Sequence, residues 1–442
     1  VADDRFYVKT LRLQNFRCFE DVELGPFDPS FNLLVGENGA GKSSVLVALA
    51  DLFRPLAAGG GVLLSNTIVG FADQRRNLGQ ESFLTFSESI APWLISAKFV
   101  SKFKVFQVRD LYHAQPSFEN QPKVGEVVAG KNVPTPVSGG LLAARVIDVP
   151  HVIAMYKTDR RFQTETKPPE TMIPDGPGTS FINWTDAGTS SYFLKEWLRD
   201  ETLISLQAKQ PAPENGSDLS AWLDVVSSAL STCYEGVSSI NYNGVLKDVV
   251  LTYGDGSSST FDSLSDGQRA LAGLVVDIAR RCFILNGRRF GKETLELTSG
   301  LVLIDEIELH LHPKWQRQIV PALKKIFPKI QFFATTHSPQ VIGECKPEEI
   351  VLLTPEGQKR PAGSFGMDSN WILQCVMEAE GRNPEIAKRI KSLFDLIESE
   401  RLAEAKAEIA RLRQELPEVA PDIVSAEAYI WNLEHESGEA AE

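Results

Sequence analysis

The stretch from Phe31 to Ser44, FNLLVGENGAGKSS, constrains this chain more than any other: an apolar run breaks into glycines and ends in Gly41-Lys42-Ser43. The octet Gly36-Glu-Asn-Gly-Ala-Gly41-Lys42-Ser43 fits G-x-x-x-x-G-K-[ST], between a short buried-strand pattern and the helix-spaced residues Ser43–Phe53. Glycines let backbone N–H groups turn inward around phosphate, and a helix start adds partial positive charge. This assigns nucleotide contact to Gly36, Asn38, Gly39, Ala40, Gly41, Lys42, Ser43 and Ser44. Lys42 is expected to reach the β- and γ-phosphates, and the Ser43 hydroxyl to coordinate Mg2+. ATP and Mg2+ are therefore the expected cofactors, on an α/β fold with a mixed sheet.

Three further stretches complete the chemistry. LVLIDE (301–306) reads as a central strand ending in two acids. Asp305 is placed to hold the metal, and Glu306 to act as the general base on water attacking the γ-phosphate. LSDGQ (264–268) precedes a long amphipathic stretch, with Ser265 a good N-cap and Gly267 exposing N–H groups. TTHSP (335–339) follows a third apolar run and presents His337. Taken singly, the last two are a capped helix and a polar strand end. His310 and His312 invite a metal reading, which is rejected because no third ligand lies nearby in sequence. No residue stands out for a glutamine loop; Asp73, Gln74 and Gln107 are candidates undistinguished by context.

The formal net charge of −13 argues against bulk attraction to DNA, although a local patch for DNA contact stays open. Arg280, Arg281, Arg288, Arg289 and Lys292 cluster, as do Lys314, Arg317, Lys324, Lys325 and Lys329; solvated helix faces are the simpler reading. Five scattered cysteines, never in a C-x-x-C pair, point away from a zinc site or a disulfide framework and towards a reducing cytoplasmic setting. No run is long and apolar enough for a membrane span, and the first residues lack a signal-peptide layout.

Four segments are expected: an N-terminal ATPase lobe with the glycine loop (1–56), an insertion and helical lobe with loops (57–235), a C-terminal ATPase lobe (236–346) and a helical region (347–442). In the last, Ile386, Ile390, Leu393 and Ile397 form one helical stripe, and Leu402, Ile409, Leu412 and Leu416 a second. No sustained heptad run separates Lys42 from Ser265.

In order and spacing, the four motifs resemble the ABC-type ATPase heads of the RecF, SMC and OLD group, over roughly residues 7–55 and 260–345. The opening LQNFRCFE and the extended acid motif DEIELHLHPKWQ look like that group as well. The resemblance implies that Ser265, Gly267 and Gln268 form the signature motif. They would meet the γ-phosphate held by a second copy, so that a homodimer clamps two nucleotides. His337 would be the switch histidine, and residues 306–313 the loop communicating between sites. The chain departs from SMC proteins in lacking coiled coils, and from OLD nucleases in ending without a carboxylate metal cluster; no intrinsic nuclease motif is seen. VIAMYKTDRR (152–161), LSDGQR, KWQR (314–317) and the tail from Gly366 to Ile430 resemble more closely the Septu (PtuA-type) and retron-linked ATPases of bacterial anti-phage defence. That resemblance implies a higher oligomer and a separate HNH-type nuclease partner. It also leaves Arg160 and Arg161 as contacts to nucleotide or a neighbouring subunit, or as surface arginines. The competing readings are a RecF-like ATP-gated DNA-repair clamp without a nuclease partner, and a slow nucleotide switch.

Overall fold

Short apolar runs without alternation, such as FNLLV and GLVLI, demand cover on both faces, which a parallel sheet under helices provides. The computed structural model describes residues 7–57, 83–87, 93–100, 105–113, 151–158, 180, 184–186, 195–200, 202–203, 221–234, 236–354, 357–379, 382–417 and 420–439. Asp73, Gln74, Arg160 and Arg161 lie outside them.

In chain order, β1 (Thr10–Phe16) and β2 (Phe19–Leu24) lead to β3 (Phe31–Val35) and helix α1 (Lys42–Ala57). β4 (Phe83–Ser87) pairs with β1, and β5 (Trp93–Val100) and β6 (Val105–His113), which carries Gln107, form a hairpin. After β7 (Val152–Tyr156) and α2 (Ala221–Cys233) come β8 (Val237–Asn243), β9 (Asp248–Tyr253) and β10 (Ser258–Thr260), an antiparallel trio. The long helix α3 (Asp266–Phe290) precedes β11 (Gly300–Ile304), α4 (Pro313–Ile326), β12 (Ile330–Thr335), β13 (Ile350–Thr354) and β14 (Gly357–Lys359).

The central sheet runs β14-β13-β3-β12-β11-β7, parallel throughout except for the edge strand β14. This is the mixed sheet expected from the sequence, with the glycine loop leaving β3 and the acid pair leaving β11. Strands β3, β7, β11 and β12 are buried along their whole length. Phe27 packs edge-on to Phe333 at 4.8 Å, within an apolar core that joins β1, α1 and the sheet. Gln331 breaks the apolar pattern of β12, yet its amide is satisfied. Its oxygen accepts from Val8 N at 2.7 Å, and its nitrogen donates to the carbonyls of Val8 and Asp28. A buried amide with these partners sews the N-terminal strands onto the sheet instead of costing stability.

The helical region begins later than expected at 347. β13 pairs with β3 from Ile350 to Leu352, so these residues complete the sheet, and the first compact unit runs to Ile372. The second unit, from Leu373, holds α5 (Pro384–Glu398), α6 (Leu402–Leu412) and α7 (Pro421–Glu439). Asn383 caps α5 by accepting from Glu385 N, with Pro384 at the first helical position. The expected stripes meet here: Ile390, Leu393 and Ile397 pack with Ile409, Leu412, Ile423 and Ile430. Each such burial contributes about 1.5–3 kcal/mol. Among the described residues, no helix is long and apolar enough to cross a membrane.

Candidate nucleotide site

The site forms where β3, β11 and β12 end side by side, beyond the carboxyl ends of the parallel strands. The loop after β3 carries Gly39 at φ 87° and Gly41 at φ 95°, the left-handed region that side chains disfavour. A Cβ at Gly41 would strike the Phe19 ring and the Cys18 sulfur, so the turn between β1 and β2 presses against the loop. At Gly36 it would lie 2.9 Å from the Leu353 carbonyl of β13, whereas at Gly39 it would meet nothing, leaving the loop open there. Lys42 folds back, donating from Nζ to the carbonyls of Gly36 at 2.8 Å and Glu37 at 3.0 Å. Burial pushes its pKa down, while Asp305, Glu306 and Glu308 oppose that shift.

Ser43 Oγ donates towards both carboxylate oxygens of Asp305, each at 3.2 Å. A hydroxyl beside a carboxylate is an all-oxygen donor set, which suits Mg2+. The open glycine cradle and this pair fit a nucleotide with its metal. Glu306, just past β11, has φ 48°, an uncommon conformation for a residue with a Cβ. It is held there by Thr335, whose hydroxyl accepts from Glu306 N at 2.7 Å and donates to Asp305 at 2.6 Å. His337 is exposed between buried Thr336 and Ser338, and its N–H donates to Glu308 Oε1 at 2.5 Å. The structure therefore brings the glycine loop, Asp305, Glu306 and His337 to one end of the sheet.

Ser265, Gly267 and Gln268 sit elsewhere. Ser265 and Gln268 form a capping box at the start of α3, and Gly267 lies so close to the His310 carbonyl that a Cβ would overlap it. Among the described residues no hydrogen bond joins this helix start to residues 36–44 of the same chain. His312 is the N-cap of α4, its Nδ1 accepting from Lys314 N at 3.3 Å; His310 turns the loop at φ 65°. Their places follow from helix geometry.

The first basic cluster departs from a solvated face. Arg281 is 2% exposed, and both it and Arg280 donate to Asp277, which also accepts from the Tyr156 hydroxyl at 2.8 Å. Burial would raise the Asp277 pKa, but Arg281 and Arg280 outweigh it and hold the carboxyl well below the usual range. The network ties α3 to β7, whose Tyr156 carbonyl accepts from Asp305 N at 2.8 Å. Sequence periodicity shows a helix with arginines; it cannot show that Tyr156 arrives opposite them. Thr335, Glu308, Phe19 and Asp277 are the residues that sequence reasoning missed.

Comparison with known proteins places the chain. A Septu protein PtuA from Bacillus thuringiensis is 32% identical over 362 residues, covering 78% of this chain and 75% of that one. The chain belongs to the Septu PtuA family. It is also similar to the "Retron Vc95 probable ATPase" of Vibrio cholerae, at 24% identity across 90% of this chain and 84% of that protein. With the "Retron Ec83 probable ATPase" of Escherichia coli it shares 38% identity over 189 residues, spanning only 34% of that relative's length. The family described as "AAA ATPase domain" matches residues 7–88, around the glycine loop. The one described as "AAA domain, putative AbiEii toxin, Type IV TA system" matches 221–343, from α2 through α3 and the acid pair to His337.

Proposed function

We propose that this chain hydrolyses ATP at composite sites between two copies and that this cycle controls a partner nuclease of HNH type in anti-phage defence. The observation that carries the ATPase reading is the joining of Ser43 to Asp305, with Glu306 fixed beside them through Thr335. Lys42 and the loop N–H groups would bind the phosphates, and Ser43 and Asp305 would hold Mg2+. That ion supplies positive charge against the phosphate oxygens. Glu306 would orient and deprotonate the attacking water, and His337 would contact the γ-phosphate. Ser265, Gly267 and Gln268 start a helix bonded away from their own loop, which supports their serving the loop of a second copy. Membership in the PtuA family agrees with the Septu resemblance of the sequence, which implies the defence setting and the separate nuclease.

The test is sedimentation of Glu306→Gln with and without ATP and Mg2+, and copurification with the product of the adjacent gene. An ATP-dependent shift to a dimer or larger assembly supports the composite site. If the variant turns over ATP at the wild-type rate, Glu306 is not the base. A copurifying nuclease supports the biological reading. Salt-sensitive duplex binding by the chain alone, with no nuclease found, would replace it with an ATP-gated DNA clamp.

A further inference from the structure

The acid motif carries a third carboxylate, Glu308, to which the chemistry above gives no task. Its two oxygens serve two donors from one turn. Oε2 accepts from the Thr336 hydroxyl at 2.7 Å, and Oε1 accepts from the His337 N–H at 2.5 Å. Bonds to an ionised acceptor are about twice as strong as neutral ones, and two of them on one carboxylate fix direction as well as distance.

These bonds end a continuous zipper between the segment after β11 and the end of β12. Asp305 accepts from Thr335, Glu306 N donates to the Thr335 hydroxyl, and Ile307 N donates to the Thr335 carbonyl at 3.0 Å. Glu308 then takes Thr336 and His337. Every residue from 305 to 308 is thus bonded to residues 335–337. On the far side, Thr336 Oγ1 accepts from Ser338 N, and Ser338 Oγ donates to Gln316. The turn is therefore gripped from both sides, and only the His337 ring projects outward. Without Glu308, two of the zipper's bonds are lost, and they are the two that act on the His337 peptide and its neighbour.

We infer that Glu308 is a positioning residue that holds His337 in register with Glu306, so that base and switch histidine move as one rigid pair. The inference rests on the ATPase reading above. It predicts an effect exerted mainly through His337 and on turnover, because Glu308 makes no hydrogen bond to the glycine loop among those described and reaches Lys42 only through its charge, one of three carboxylates that do so.

The experiment is a double-mutant cycle on the full chain, with ATP affinity measured by calorimetry and turnover in steady state. Glu308→Ala is expected to lower kcat about 10-fold or more, with ATP affinity within about 2-fold, because a transition-state contact is displaced and the binding loop is not. Combined with His337→Ala, it is expected to add nothing to the loss His337→Ala causes alone, as for residues acting as a unit. Glu308→Gln keeps an acceptor for the His337 N–H while Thr336 can turn its hydroxyl to accept, so turnover recovers to within about 3-fold of wild type. Thr336→Val, which keeps the shape of the turn, gives a second reading should the alanine variant fail to fold; its expected loss also vanishes in the His337→Ala background. Wild-type turnover in Glu308→Ala, or losses that multiply in the double variant, overturns the inference while leaving the ATPase reading intact. Wild-type turnover in His337→Ala overturns both this inference and the role given to His337.

Discussion

Ser43 and Asp305 are 262 residues apart in the chain, yet the hydroxyl of one lies 3.2 Å from both carboxylate oxygens of the other. In the described structure they bond to each other, so a divalent cation entering there exchanges that bond for two ligands. Asp305→Asn keeps the shape and removes the charge. ATP affinity measured with Mg2+ is expected to fall about 10- to 100-fold, the range typical of a disturbed metal shell. With EDTA present, wild type and variant should bind alike. A deficit that persists in EDTA would place Asp305 in the fold and not in the metal shell.

Gly267 tests the second half of the site. A methyl group there overlaps the His310 carbonyl, so Gly267→Ala must push the start of α3 away from the loop that follows the acid pair. ATP binding to the single chain is expected to stay within about 2-fold, since the loop that binds phosphate is untouched. ATP-dependent assembly of the Glu306→Gln protein should be lost when the alanine is added. Assembly that survives the substitution removes Gly267 from the interface.

How far the sequence could be read follows from what kind of signal each residue sends. The glycine loop, LVLIDE and LSDGQ are contiguous patterns whose spacing carries their geometry, and Ser265 caps α3 together with Gln268 as its position implies. Glu308 and Thr335 send no such signal, because each acts on a partner brought by the sheet order; Asp277 has Arg280 and Arg281 within helical reach, but its Tyr156 partner arrives on β7. β12 lies between β3 and β11, and nothing local to TTHSP says that Thr335 will face Asp305. The misplaced start of the helical region has a similar origin. IVLLT is too short to distinguish a sheet strand from a connecting run, and only its pairing with β3 decides. Arg281 shows the limit of composition: an arginine in a basic cluster reads as solvated until the carboxylate four residues before it on the same helix is found largely buried with it.

That carboxylate makes a stability prediction. Asp277→Ala removes the carboxylate that Arg280 and Arg281 share and leaves Arg281 buried with the Ser180 carbonyl, to which its Nη1 donates at 2.6 Å. Breaking a buried pair in this way costs about 3–5 kcal/mol. Tyr156→Phe removes one hydrogen bond to a charged group, about 1.5–3 kcal/mol. Urea unfolding should rank the two in that order. Because Tyr156 also presents its backbone to Asp305, the phenylalanine variant, which keeps that carbonyl, should retain ATP binding. Loss of binding in Tyr156→Phe would mean that the hydroxyl itself acts at the site.

His151 gives the chain a built-in acid sensitivity. The ring is 7% exposed, at the foot of β7, with Nδ1 2.7 Å from the Ser299 hydroxyl. Burial lowers its pKa from the ordinary 6.5 to about 4. The neutral ring is therefore the native form, and above pH 6.5 neither state binds the proton, so stability is complete. Between 6.5 and about 4 the unfolded chain is protonated and the folded one is not, so stability falls as the pH drops. Below about 4 both states carry the proton, and the loss levels off at roughly 3 kcal/mol. His151→Asn can keep a hydrogen bond to Ser299 without titrating. Unfolding free energies of the two proteins, measured from pH 7 to pH 4, should differ by an amount that shifts by roughly 3 kcal/mol across that window, the wild type losing more. A difference that stays constant to within about 1 kcal/mol would show that His151 keeps its ordinary proton affinity in the fold.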